Sequence, residues 1–174
     1  MIGIDHYRDV SMQPSTATNR KGDKRPLQPA GTYWEYNDVR INQFSLSLMQ
    51  LFQRELPQVF AEHIMSPIGC SDTWHWHGYE NSWIESNGQR LQSVPGGGHW
   101  GGGMVISAHD QFLLGQLMIN NGRVNGKQIL SADWIEQMRS PCDIAPWYGF
   151  FTWLNTNHVA VSYTHLTLPT ICSV

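Results

Sequence analysis

Pro29-Ala30-Gly31-Thr32-Tyr33-Trp34-Glu35-Tyr36-Asn37-Asp38 is the stretch on which the reading of this chain turns. Its Pro and Gly residues set a turn, because Pro fixes φ and Gly tolerates positive φ. Directly after it, Ile41, Phe44, Leu48, Leu51 and Phe52 recur at the spacing of one helical face. The pattern predicts a helix that opens at Asn37 or Asp38 and closes near Arg54, before Pro57. Val39, Leu46 and Met49 widen the apolar surface, so this helix is expected to be buried on more than one side. The turn therefore delivers Tyr36 to the mouth of a helix. One reading of Tyr36 is a packed side chain beside Asp38, which caps the helix. The other is chemical. A helix N-terminus favours an anion, so a tyrosinate there could accept a proton, provided the site lowers the ordinary Tyr value of about 10.

Working outward, Leu56 to Met65 reads as a second helix, with Pro57 tolerated in its first turn. Ser66-Pro67-Ile68-Gly69 stops it. Residues 70–103 are rich in Gly, Trp, His and Asn, and read as long loops with short strands. Gly96-Gly97-Gly98 and Gly101-Gly102-Gly103 flank His99-Trp100. A third helix is expected from Ser107, an N-cap, with Asp110 at its third position in a capping-box-like arrangement. It runs to about Asn120, and Asn121-Gly122 is its stop signal. Asn125-Gly126 is a turn that suits two short strands. A fourth helix follows Ser131, carries Asp133 in its first turn and ends at Pro141. Tyr148 to Leu154 is aromatic and reads as a strand.

The 174 residues suit one domain or part of one. A hydrophobic share of 41% with 14% charged residues favours a folded core over a disordered chain. The net charge of −3, with no undiluted basic run, gives no nucleic-acid footprint. Cys70, Cys142 and Cys172 are odd in number and form no Cys-x-x-Cys pair, so neither a zinc site nor a disulfide framework is indicated. No apolar run approaches the roughly 20 residues that span a bilayer. Residues 1–26 read as an irregular N-terminal segment. Residues 158–174 carry no charged side chain and no clear period. They resemble translated adapter sequence, the other reading being an ordinary apolar strand, and they stay outside the fold assignment.

Pro-x-Gly-Thr-x-x-x-Tyr at the opening of a helix resembles the second motif of class C β-lactamases and related penicillin-binding-protein-like serine hydrolases, where a Tyr-x-Asn triplet borders the active site. Other segments agree in order. Ile64-Met65-Ser66-Pro67-Ile68-Gly69-Cys70-Ser71-Asp72-Thr73-Trp74 is similar to the family's helix ending in Pro-Leu-Gly and the strand after it. Gly101-Gly102-Gly103-Met104-Val105-Ile106-Ser107-Ala108-His109-Asp110 is similar to its Gly-Gly-Leu-x-Ser-Thr-x-x-Asp helix opening. The segment 121–131 resembles the turn and helix start that follow, and Tyr148-Gly149-Phe150-Phe151-Thr152-Trp153-Leu154 resembles the aromatic strand Tyr-Gly-x-Gly-Trp. The match covers residues 27–157, a partial domain. It implies an α+β fold of the β-lactamase/transpeptidase type, of which this chain holds much of the helical subdomain and part of an antiparallel sheet.

The resemblance implies acyl transfer through a serine ester, with a Ser nucleophile, a Lys and a Tyr moving protons, and backbone N–H groups holding the oxyanion. It assigns Tyr36 the base or proton-relay role and puts Asp38 where the family often has Asn. That departure matters, since an ionised Asp only accepts hydrogen bonds whereas Asn also donates. Substrates would be small-molecule esters, amides or peptides, with no cofactor. No Ser in the chain has Lys three residues later, so the Ser-x-x-Lys nucleophile is absent. Thr18-Asn19-Arg20-Lys21 has the spacing with Thr but reads as a solvated charge patch. The third motif, Lys-Thr-Gly or His-x-Gly, would fall in 158–174 and is missing. A fragment inactive by itself is therefore expected, and the competing expectation is a non-catalytic binding module on the same scaffold. His99 and Trp100 are candidates to touch substrate, with a structural turn as the plainer reading. Tyr79, Glu80, Asn81 and Trp83 are candidates for the same rim. In Trp74-His75-Trp76-His77 the two His share one strand face, but no third ligand at recognisable spacing accompanies them, and no metal is assigned.

Overall fold

The computed structural model describes residues 29, 31–34, 38–80, 82–95 and 103–154. Four helices and three two-stranded antiparallel pairs lie among them, which is an α+β fold, as expected. In order they are α1 (Asp38–Phe52), α2 (Leu56–Phe60), β1 (His75–His77), β2 (Trp83–Ser86), β3 (Gln89–Gln92), β4 (Gly103–Val105), α3 (Ala108–Ile119), β5 (Arg123–Val124), β6 (Lys127–Gln128) and α4 (Ala132–Arg139). Contacts divide the chain into two compact units. The first takes in Glu35–Glu62 and Asp72–Ile106, the second Gln28–Trp34, His63–Ser71 and the chain from Ser107 onward.

In the first unit α1 begins at Asp38, where the turn and the helical spacing put it. Its buried face differs from the apolar stripe. Asn42, Ser45 and Met49 are buried, whereas Phe44, Leu51 and Phe52 are exposed. The partner decides this: Met49 packs into a core with Leu56, Leu91 and Val94, joined by Leu46, Leu48, Trp76 and Ile84. Spacing names an apolar surface, but only the neighbours determine which part of it is covered. The helix ends at Gln53, in the left-handed region at φ 53°. The Gln53 side-chain oxygen accepts from Ser86 Oγ at 2.9 Å and Asn87 Nδ2 at 2.7 Å, which clasps the β2–β3 hairpin. That hairpin pairs Ser86 with Gln89 across Asn87-Gly88, at φ 50° and 74°, the geometry that Asn-Gly favours between twisted strands. Glu55, just before α2, accepts from the Gln92 N–H at 2.8 Å and ties β3 to the same helix pair. α2 carries Pro57 in its first turn. It continues as a π-helical turn over Ala61–Met65 before the turn at residues 66–69.

In the second unit, Ser107 caps α3 by accepting from the Asp110 N–H at 3.0 Å. Ser131 caps α4 in the same way through the Trp134 N–H at 3.1 Å. α3 closes in a Schellman motif. Asn121 takes φ 50°, the Gly122 N–H donates to the Leu117 carbonyl at 2.8 Å, and the Asn121 N–H donates to Met118 at 3.3 Å. Arg139 at the end of α4 donates to Asn121 Oδ1 and to the Met118 carbonyl, so one cation serves the open carbonyl end of α3. Asn125-Gly126 turns β5 into β6. Leu117, Met65, Ile68, Ile135 and Ala145 are buried in this unit.

The Tyr148–Leu154 strand does not form. Instead Tyr148 bridges Trp153, the Gly149 N–H donates to the Thr152 carbonyl at 2.8 Å, and Phe151 sits at φ 51°. An extended segment needs a partner for its backbone groups. No strand lies beside this one among the described residues, so it closes on itself.

Gly122 shows how tightly the α3–β5 corner is built. It has φ 77°, and a Cβ there would collide with the Leu130 carbonyl. Gly122→Ala is expected to cost at least about 1–2 kcal/mol, read as a lower urea midpoint. Gly126→Ala, whose Cβ would meet open space, is expected to cost less, and equal losses would contradict the collision.

Candidate active-site segments

The stretch before Tyr36 is held firmly. The Pro29 carbonyl accepts from both Thr32 N–H (3.2 Å) and Thr32 Oγ1 (2.8 Å), with Gly31 at φ 79°. Trp34 then enters an aromatic box. Its ring meets Trp147 at 6.0 Å, Tyr148 at 5.4 Å and Trp153 at 5.6 Å, all edge-to-face, and Tyr148 meets Trp153 at 5.1 Å. Edge-to-face pairs join a ring's positive edge to a negative face, each worth about 0.5–1.5 kcal/mol beyond burial. The box was not foreseen from the sequence. Its signal was the pair Tyr148 and Trp153, five residues apart, read as a strand when it is a folded turn that presents both rings to Trp34.

Of the expected site residues, Asp38 is the first residue of α1. Tyr36, His99 and Trp100 lie outside the described residues. Their mutual placement therefore lies outside the described structure. Of the rim candidates, Tyr79 is buried, Glu80 is exposed, Trp83 opens β2 and Asn81 lies outside the described residues; the Arg90 guanidinium stacks 4.8 Å from the Trp83 ring centre.

A second cluster is held around a fully buried carboxylate. Asp110 Oδ1 accepts from the Ser71 N–H at 2.9 Å, and Oδ2 accepts from Ser71 Oγ at 2.6 Å. These bonds hold the carboxyl below its ordinary range, against the opposing cost of burial, and the Ser107 cap and nearby His109 add to the effect. Asp110 is thus spent on structure, pinning a segment 39 residues earlier in the chain to the start of α3. Cys70 lies beside it, with Sγ 3.8 Å from the Asp110 carbonyl. Burial, then the Asp110 charge and hydrogen bond, push its thiol from 9.0 to about 11. It is a protonated neighbour at neutral pH, unsuited to act as a nucleophile.

On β1, His75 and His77 are exposed and their ring centres stand 5.6 Å apart. With Trp74, Trp76, Glu55, Pro57, Gln92 and Val94 they line an open hollow of about 220 Å³. Among the described residues no group of three or more His, Cys, Asp or Glu could hold a metal ion, and no helix is long and apolar enough to cross a membrane.

No family model matches the chain, and no curated protein does. A likeness appears among solved structures. A Bacteroides dorei protein that is a β-lactamase by name superposes with a TM-score of 0.57 at 18% identity, over 79% of this chain and 43% of that one. The likeness is one of fold: the α+β arrangement described above is β-lactamase-like. The chain spans less than half the length of that protein.

Two ionisable groups of the second cluster give opposite pH signatures. The depressed Asp110 carboxyl stabilises fully above the unfolded value near 4, and that stabilisation is lost as pH falls through its lower folded value. Asp110→Asn is therefore expected to narrow the stability gap between pH 7 and pH 3 in urea unfolding. The raised Cys70 thiol stabilises below 9.0, and its contribution fades as pH rises toward about 11. Cys70→Ala is expected to flatten that alkaline decline, and an unchanged decline would contradict the assignment.

Proposed function

We propose that this chain is part of a serine hydrolase that works by acyl-enzyme chemistry on an ester or amide, of the kind represented by β-lactamases, D-Ala-D-Ala peptidases and related esterases. In this reading residues 27–157 form a partial domain and 158–174 lie outside it. The supporting observation is the helix that opens at Asp38, directly after the Pro-x-Gly-Thr-x-x-x-Tyr motif, in a chain with a β-lactamase-like fold. The Ser107–Asp110 helix opening, in its expected order, adds to it.

The chemistry follows from the residues. A Ser hydroxyl from a Ser-x-x-Lys segment attacks the carbonyl, and Tyr36 accepts the hydroxyl proton, then returns it to the leaving group. The positive end of the α1 dipole favours the phenolate over the phenol. Asp38 offers only acceptors when ionised, which in this reading leaves two roles: either an amide-bearing substrate is bound differently, or Asp38 mainly serves the catalytic Lys and the helix start. His99 and Trp100 would border the substrate. The chain lacks the nucleophile and is inactive alone.

The second reading, a non-catalytic binding module on this scaffold, draws on two observations: Asp38 in place of Asn and the absence of Ser-x-x-Lys from the chain.

The chain as given is expected to resist stoichiometric labelling by a serine-directed fluorophosphonate; covalent labelling would contradict the assignment of the nucleophile elsewhere. Extended upstream through the preceding reading frame, it is expected to carry Ser-x-x-Lys and to label. Tyr36→Phe in that longer chain should lower kcat/KM by about 10²–10⁴. An intact upstream region without Ser-x-x-Lys would favour the binding module.

A further inference from the structure

Trp76 fixes the orientation of β1. Its indole N–H donates to the Pro95 carbonyl at 3.1 Å. Its ring meets Phe60 at 6.1 Å and packs against the core of the first unit. Side chains alternate across a strand, so anchoring Trp76 inward sends both His75 and His77 outward. Antiparallel pairing with β4, His75 opposite Val105 and His77 opposite Gly103, holds that orientation. The result is two imidazoles on one face, with ring planes 39° apart and centres at 5.6 Å.

We propose that His75 and His77 together form a binding site for a divalent ion that prefers imidazole nitrogen, of the copper, nickel or zinc class. Two imidazole nitrogens each about 2.0–2.1 Å from one ion lie about 3 Å apart, a geometry that rings already side by side reach by rotating their side chains. Neither imidazole is hydrogen-bonded to another described residue, so their nitrogens are uncommitted. The hollow they line also holds Glu55. Both Glu55 oxygens already accept, Oε1 from the Gln92 N–H at 2.8 Å and Oε2 from Gln58 Nε2 at 3.5 Å, so this carboxylate is not counted as a ligand. The remaining coordination positions open to solvent and fall to water. A site with two protein ligands is weak and exchangeable, and among these ions Cu²⁺ binds imidazole most tightly. The site lies apart in kind from the hydrolase chemistry and does not depend on it.

The test is titration of the whole chain, thiols blocked beforehand, with Cu²⁺, followed by calorimetry and electron paramagnetic resonance. One ion per chain is expected, with superhyperfine coupling to two equatorial nitrogens. Loss of an outer-shell partner already weakens metal sites about 10–100-fold, so His75→Ala and His77→Ala should each weaken binding at least about tenfold. Each should also remove one nitrogen from the spectrum. Both side chains are exposed, so each variant should melt like the parent in the absence of metal. His63→Ala should bind as the parent does. Full-strength binding in both β1 variants, or a spectrum without the nitrogen pair, would overturn the proposal.

Discussion

A carboxylate removed from water must have its lone pairs met, and Asp110 is removed entirely. In the second unit this requirement organises the chain. Ser71 supplies both its N–H and its hydroxyl, so the loop that follows the Ser66–Gly69 turn must run past the first turn of α3. Ser107 fixes that turn from the other side. The helix so placed ends in the Asn121-Gly122 motif, and Arg139 of α4 closes on it. Asp110 alone of these groups is buried; Ser71, Ser107, Asn121 and Arg139 are exposed and act as the partners that fix each step.

How much of this was legible depended on how local the cause was. Ser107, Ser131, Asn121-Gly122 and Asn125-Gly126 act on their own neighbours, and the helix ends and turn they imply are where they should be. Asn87-Gly88 carries the same signal for a hairpin, which the reading of residues 70–103 as long loops with short strands does not single out. The start of α1 at Asp38 was local too. The covered face of α1 was not, because Met49 rather than Phe44 or Leu51 meets Leu56, Leu91 and Val94. The aromatic run from Tyr148 failed for a related reason. β-propensity describes fit to a pleated surface, and with no strand beside it among the described residues the segment turns back, so that Tyr148 and Trp153 grip Trp34. The role of Asp110 was half visible: its place in the helix opening could be read, but its hold on Ser71 spans 39 residues and could not.

The candidate site was legible only as chemistry. The sequence singled out Tyr36, Asp38, His99 and Trp100 by residue type and motif, and Asp38 alone falls within the described backbone, at the helix start assigned to it. A fold held in common with a β-lactamase-like protein specifies neither a reaction nor a substrate, since one fold hosts many chemistries. For the proposed function the geometry that matters is that of one phenol and one hydroxyl.

That geometry can be measured. A crystal structure of the chain extended upstream, with the Ser-x-x-Lys segment that the proposed function expects there, would give the distance from Tyr36 Oη to the serine Oγ. The account predicts hydrogen-bond contact, about 2.6–3.2 Å, at the edge of an open cleft. A Tyr36 phenol buried in apolar packing, remote from any serine and any groove, would contradict it.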